Sequence, residues 1–153
     1  MSQRIVSPCV GLCSTTVGDP VCRGCQRHES EIRDWFVYSD ATRREVMQRL
    51  DAWRSRIAGE YLRVSDEAQL EAQLVRHRIR HRPDQPALSR AVELLRVGRG
   101  RMRDITRYGL QAHGKGLHLS ADELYETIAT ALMAHAEARR HHPGFTHSTG
   151  SSP

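Results

Sequence analysis

Lysine is all but missing from this chain: Lys115 is the only one in 153 residues, so nearly all of the 23 basic residues are arginine. Arginine favours planar, bidentate partners such as phosphates and carboxylates, but 18 acidic residues are interspersed and the net charge is only +5. The charge balance alone therefore does not make a nucleic-acid binder. Aromatic residues are scarce at 5%, within a hydrophobic content of 39%. A core built from that composition is thin and mostly aliphatic, and gains from a covalent or metal staple. No window approaches the ~18 consecutive apolar residues that a membrane span needs. The opening MSQRIVSPC has no apolar run behind Arg4 and no small-residue cleavage site. No export is expected from it, and the expected compartment is the cytoplasm, where disulfides are rare.

Cysteine is equally sparse, but all four are concentrated in one place. Cys9, Cys13, Cys22 and Cys25 form SPCVGLC and, eight residues after Cys13, CRGC. The C-x3-C-x8-C-x2-C spacing sets two pairs of thiols on either side of a segment carrying Gly18 and Pro20, which reverses a chain rather than extending it. Gly11 and Gly24 sit inside the pairs, where tight turns can aim backbone N–H groups at sulfur. With no export expected, clustered thiols point to metal ligands, with disulfides or free thiols as the alternatives. Four thiolates suit a tetrahedral zinc ion or an iron-sulfur cluster, and the spacing matches neither paired zinc knuckles nor the ferredoxin runs, so spacing leaves the metal open.

SPCVGLC, VCRGCQR, EIRDW and the arginine-rich amphipathic segment after them resemble a small bacterial family of predicted iron-sulfur proteins, the YdhL type, a domain of unknown function. The resemblance covers about residues 5–56, and implies Cys9, Cys13, Cys22 and Cys25 as ligands of an iron-sulfur cluster of unspecified type, without implying a reaction. The chain departs from that pattern at His28, where the family usually has a threonine that would cap the next helix with Glu31; a looser helix start is expected here. The pattern runs out at Trp53 and Arg54.

Beyond the cysteines the periodicity is helical, with no strand and no internal repeat. Residues 29–37 predict a short helix presenting Ile32, Trp35 and Phe36, its positive end and Arg23 and Arg27 close to the thiols. Ser39 is an N-cap for a second helix over 40–57 with a Val46, Leu50, Trp53, Ile57 stripe. A third helix is predicted from a Ser65 cap to about His81, burying Ala68, Ala72, Val75 and Ile79 with Leu70 and Leu74 beside them; Pro83 and Pro86 then break the chain. A fourth runs over 87–108, kinked at Gly98 and Gly100, and a fifth from the Ser120/Glu123 capping box to about Arg140, burying Leu124, Ile128, Ala131 and Leu132. The fold expected is all-α. It comprises a cysteine-loop metal module with two short helices over residues 1–58, about three helices in a loose bundle or extension over 59–142, and a disordered tail over 143–153.

Two further groups bear on function. Arg96, Arg99, Arg103 and Arg107 would share one side of the fourth helix and offer a contact to an acidic protein or to phosphates. His77 and His81, four apart, lack a thiol or carboxylate partner in sequence and read as solvated. No Ser/His/Asp set and no paired carboxylates stand out, so no enzyme is expected and any redox chemistry would be the cluster's. The expected function is metal binding, an iron-sulfur cluster with an electron-transfer, redox-sensing or docking role toward a protein partner. The alternative is a zinc-stapled adaptor that binds protein or nucleic acid through its arginine-bearing helices.

Overall fold

A computed structural model describes residues 18–140, together with Ser7 and Thr15. Cys9, Cys13 and the expected tail lie outside the described residues. The architecture is mostly helical: α1 (Glu29–Arg33), α2 (Asp40–Ala58), α3 (Glu67–Arg76), α4 (Ala87–Gly98) and α5 (Ala121–Arg140), with a two-stranded antiparallel sheet of β1 (Leu62–Val64) and β2 (Leu110–Ala112). The chain divides into two compact units, one formed by residues up to Leu50 together with those from Leu132 onward, the other by Asp51–Ala131. No described helix is long and apolar enough to cross a membrane.

In the first unit, Ser39 caps α2 as its sequence predicts, its Oγ accepting from the Thr42 N–H at 3.1 Å. Val46, Met47 and Leu50 turn inward from α2, and Trp35 is buried in the 3-10 turn Trp35–Val37 that comes after α1. The helix expected over 29–37 therefore stops at Arg33, and the tighter 3-10 turn points Trp35 in but leaves Phe36 83% and Val37 82% exposed. Phe36 does not join the apolar face assigned to it. Leu132, Ala136 and Arg139, at intervals of four and three, bury the C-terminal stretch of α5 in this unit.

In the second unit, Leu62, Leu70, Leu74, Leu94, Leu95, Leu110, Leu124 and Ile128 are buried together. α5 begins as expected, with Ser120 N–H donating to Glu123 Oε1 (3.0 Å) and Glu123 N–H to Ser120 Oγ (3.1 Å). Its buried positions include Leu124, Ile128 and Leu132; Ala131 is only half-buried. α3 is capped by Asp66 rather than Ser65, Asp66 Oδ1 accepting from Gln69 N–H at 3.1 Å, and ends at Arg76. The buried face of α3 is Leu70 and Leu74; Val75 is 63% exposed and Ala68 and Ala72 face outward. Two leucines one turn apart bury more area than the alanine row, and that decides the rotation of the helix.

The sheet is a departure from the strand-free expectation. Leu62 pairs with Ala112, Arg63 with Gln111 and Val64 with Leu110, each strand placing a leucine inward and a polar residue outward. Gly109 and Gly116 make the pairing feasible. Gly109 closes the preceding 3-10 turn at φ +76°, and a Cβ on Gly116 would sit on the Tyr61 carbonyl oxygen. α4 ends at Gly98, where the sequence predicts a helix continuing to Tyr108; in its place stand a 3-10 turn over Arg99–Arg101 and another over Ile105–Tyr108. Two glycines within three residues end this helix instead of bending it.

α4 carries a polar seam inside this unit. Ser89 Oγ donates to Asp51 Oδ1 (2.9 Å) and accepts from Gln85 Nε2 (2.9 Å), while Arg54 and Glu93 pair at 2.8 Å, all five buried. Arg90 reaches both Glu67 and Glu71 on α3.

Candidate metal centre

Residues 20–29 form a tight hairpin. Glu29 N–H donates to Pro20 O (2.9 Å), Val21 and His28 bridge antiparallel, Cys22 N–H donates to Arg27 O (2.9 Å), and Gln26 N–H closes back on Cys22 O (2.8 Å). Reversing the chain within CRGCQ requires a left-handed residue, and Gln26 takes that role at φ +62°. A non-glycine residue there costs roughly 1–2 kcal/mol. The Gln26 side chain offsets part of that by donating to Arg23 O at 2.8 Å.

The turn places Cys22 and Cys25 together, each 1% exposed. No disulfide joins them. The Cys25 thiol is pushed well above its ordinary range, first by a hydrogen bond with the Cys22 side chain and then by burial, against the opposing charge and hydrogen bond of Arg27. A buried Cys25 thiol of this kind is a poor nucleophile. A cation coordinating both sulfurs would displace the proton of each thiol it binds, because a metal-bound thiol is deprotonated. The donors fit half of a four-thiolate site. Among the described residues no group of three or more His, Cys, Asp or Glu side chains could hold a metal ion, Cys9 and Cys13 lying outside them.

The cation beside the pair is Arg27 rather than Arg23 or the dipole of α1. Arg27 Nε donates to Cys25 Sγ at 3.2 Å, and its guanidinium lies 5.1 Å from the centre of the Trp35 ring. Arg23 is exposed and pairs with Asp19 at 3.2 Å. α1 has only five residues and so a small dipole.

The hairpin is lashed to α5 through His28 and Glu31. His28 Nε2 and the Ala136 carbonyl are 3.1 Å apart. Glu31 Oε1 accepts from the His28 N–H at 2.8 Å, and both Glu31 oxygens accept from Arg139, at 2.8 and 3.3 Å. The helix start is thus not loosened by histidine in place of threonine: a capping box is in place between His28 and Glu31, and the imidazole also ties to α5. Burial raises the Glu31 carboxyl, but the hydrogen bond and charge of Arg139 outweigh it and leave the group below its ordinary range. Burial, then the Arg139 charge, holds His28 below its ordinary value. Arg139 gives no signal in the sequence, where it reads as the basic end of a solvated helix 108 residues from Glu31.

The four arginines assigned to one helical side do not share a helix. Arg96 on α4 pairs with Glu93 at 3.0 Å. Arg99, in the first 3-10 turn, pairs with Asp122 (3.3 Å) and Glu126 and stacks over Tyr125 at 4.5 Å. Arg103 lies in the bend after it and Arg107 in the second 3-10 turn, both exposed. His77 lies just past the end of α3, bonded to Gln73 Oε1 at 3.2 Å, and His81 pairs with Glu71 at 2.8 Å.

A family model described as a protein of unknown function, DUF1289, matches residues 7–54, the stretch that holds all four cysteines and most of α2. No curated protein and no solved structure matches the chain.

Proposed function

We propose that the stretch matching the family of unknown function is a metal-binding module in which Cys9, Cys13, Cys22 and Cys25 together hold one iron-sulfur cluster. The observation that carries this reading is the Cys22–Cys25 pair: two thiols buried to 1% exposure in one turn, with a buried guanidinium on the Cys25 sulfur. A structural cysteine pair has no need of a cation, whereas thiolate ligands do. When bound, the cluster supplies one-electron chemistry at a potential set by burial and by hydrogen bonds to sulfur. The chain's own residues hold Cys22 and Cys25 in the hairpin, exclude water from them, and fix the Cys25 sulfur. The role is electron transfer, redox sensing or docking toward a protein partner, with no catalytic side chain required.

Protein purified without oxygen should be brown, bleach on reduction or in air, and contain iron with acid-labile sulfide. Each Cys→Ser variant should lose most of that metal. A colourless anaerobic preparation holding zinc and no sulfide would replace the cluster with a zinc staple. A metal-free protein whose four-serine variant melts unchanged would overturn metal binding itself.

A further inference from the structure

Arg27 is a buried cation with an unusual set of partners. Burying a guanidinium charge without compensation is costly. The other buried arginines of the structure meet carboxylates: Arg54 meets Glu93, Arg90 meets Glu67 and Glu71, and Arg139 meets Glu31. Arg27 meets Cys25 Sγ and the face of Trp35, and among the described residues no carboxylate pairs with it. A sulfur atom and a ring face are weaker partners for a guanidinium than a carboxylate. Thiolates around a divalent cation or a cluster carry net negative charge, and that charge is what a buried guanidinium lacks here.

Resting on the metal reading above, we propose that Arg27 is the positioning residue of the centre. Its Nε–H orients the Cys25 sulfur, and its charge offsets the negative charge the thiolates acquire on coordination. Trp35 holds the guanidinium in place through its ring face. Arg27 O also accepts from Cys22 N–H, so the residue that supplies the charge also closes the turn that sets the second ligand of the pair. A side chain that orients a ligand in this way typically changes metal affinity by about 10- to 100-fold.

The test uses the full chain, reduced and metal-free, with Co2+ as the probe under anaerobic conditions. Thiolate-to-cobalt absorption reports binding and a competing chelator gives the affinity. Arg27→Lys keeps the charge, and Arg27→Gln keeps a donor without charge. Far-ultraviolet circular dichroism reports whether each variant retains its fold. Affinity is expected to fall about 10- to 100-fold in Arg27→Gln, with Arg27→Lys recovering most of the loss. Equal loss in both variants would make Arg27 a packing residue, and no loss in Arg27→Gln would remove it from the centre; either result overturns the proposal while leaving the metal reading standing. A wild-type chain that fails to bind Co2+ would overturn the metal reading, and the role of Arg27 with it.

Discussion

Removing one member of the Glu31–Arg139 pair should destabilise the cysteine-bearing unit by far more than an ordinary ion pair does. The two side chains are 4% and 1% exposed, and Arg139 spans both carboxylate oxygens. Exposed pairs contribute about 0–1 kcal/mol, whereas a buried charge left without its partner costs about 3–5 kcal/mol. Glu31→Gln is the informative change because it keeps an acceptor for the His28 N–H and removes only the charge. Arg139→Met removes the cation and keeps most of the volume. Each alone should cost about 3–5 kcal/mol, and the double variant much less than the sum, since both charges then leave together. Urea unfolding can be followed through Trp35 in a Trp53→Phe background, because Trp35 belongs to the same unit as the pair. With a slope of about 1–3 kcal/mol/M, the midpoint should fall by at least about 1 M in either single variant. A loss below about 1 kcal/mol in both singles, or a strictly additive double, would refute the reasoning.

Acid should weaken the same unit. Glu31 titrates below its ordinary 4.5 when folded, so its contribution is present above that value and is lost as pH falls through the folded pKa. His28 sits below its ordinary 6.5 when folded, so the fold favours the neutral ring and loses stability once pH drops beneath that value. The urea midpoint read from Trp35 should therefore decline on acidification, less steeply in Glu31→Gln, and a flat profile would contradict both assignments. In the second unit, Gly116→Ala should cost more than the ~1 kcal/mol typical of a point change, because its Cβ meets the Tyr61 backbone and not a flexible side chain. A thermal midpoint equal to wild type would show that the turn after β2 can yield against Tyr61.

What is legible in the sequence is local. The Ser39 cap and the Ser120/Glu123 box place their helices correctly because cap, box and apolar row all lie within one or two turns of one another. The cysteine clustering also singles out Cys22 and Cys25 as a pair. The three-residue strands escape notice because so short a segment carries no usable alternation. A residual apolar period carries the fourth helix past Gly98 against two helix-weakening glycines, and the common side of Arg96, Arg99, Arg103 and Arg107 depends on that extension. Arg27 is near the thiols in the chain, yet its burial against Trp35 has no local signature. Glu31 and Arg139 are beyond reach for another reason: a buried charge network is defined by distance in space, and no pattern near Arg139 distinguishes it from its exposed neighbour Arg140.

Because residues up to Leu50 share a unit with those from Leu132 onward, that unit is written in two stretches far apart along the chain. Glu31 leaves the ribosome 108 residues ahead of Arg139. At a synthesis rate of about 5–20 residues per second, the carboxylate waits roughly 5–20 s for its cation. Throughout that interval His28 also lacks the carbonyl of Ala136, so the hairpin must stand on its own backbone bonds. Its final fastening is a late event of synthesis, and a stop codon anywhere before Leu132 would leave a nascent cysteine hairpin that can never be tied down.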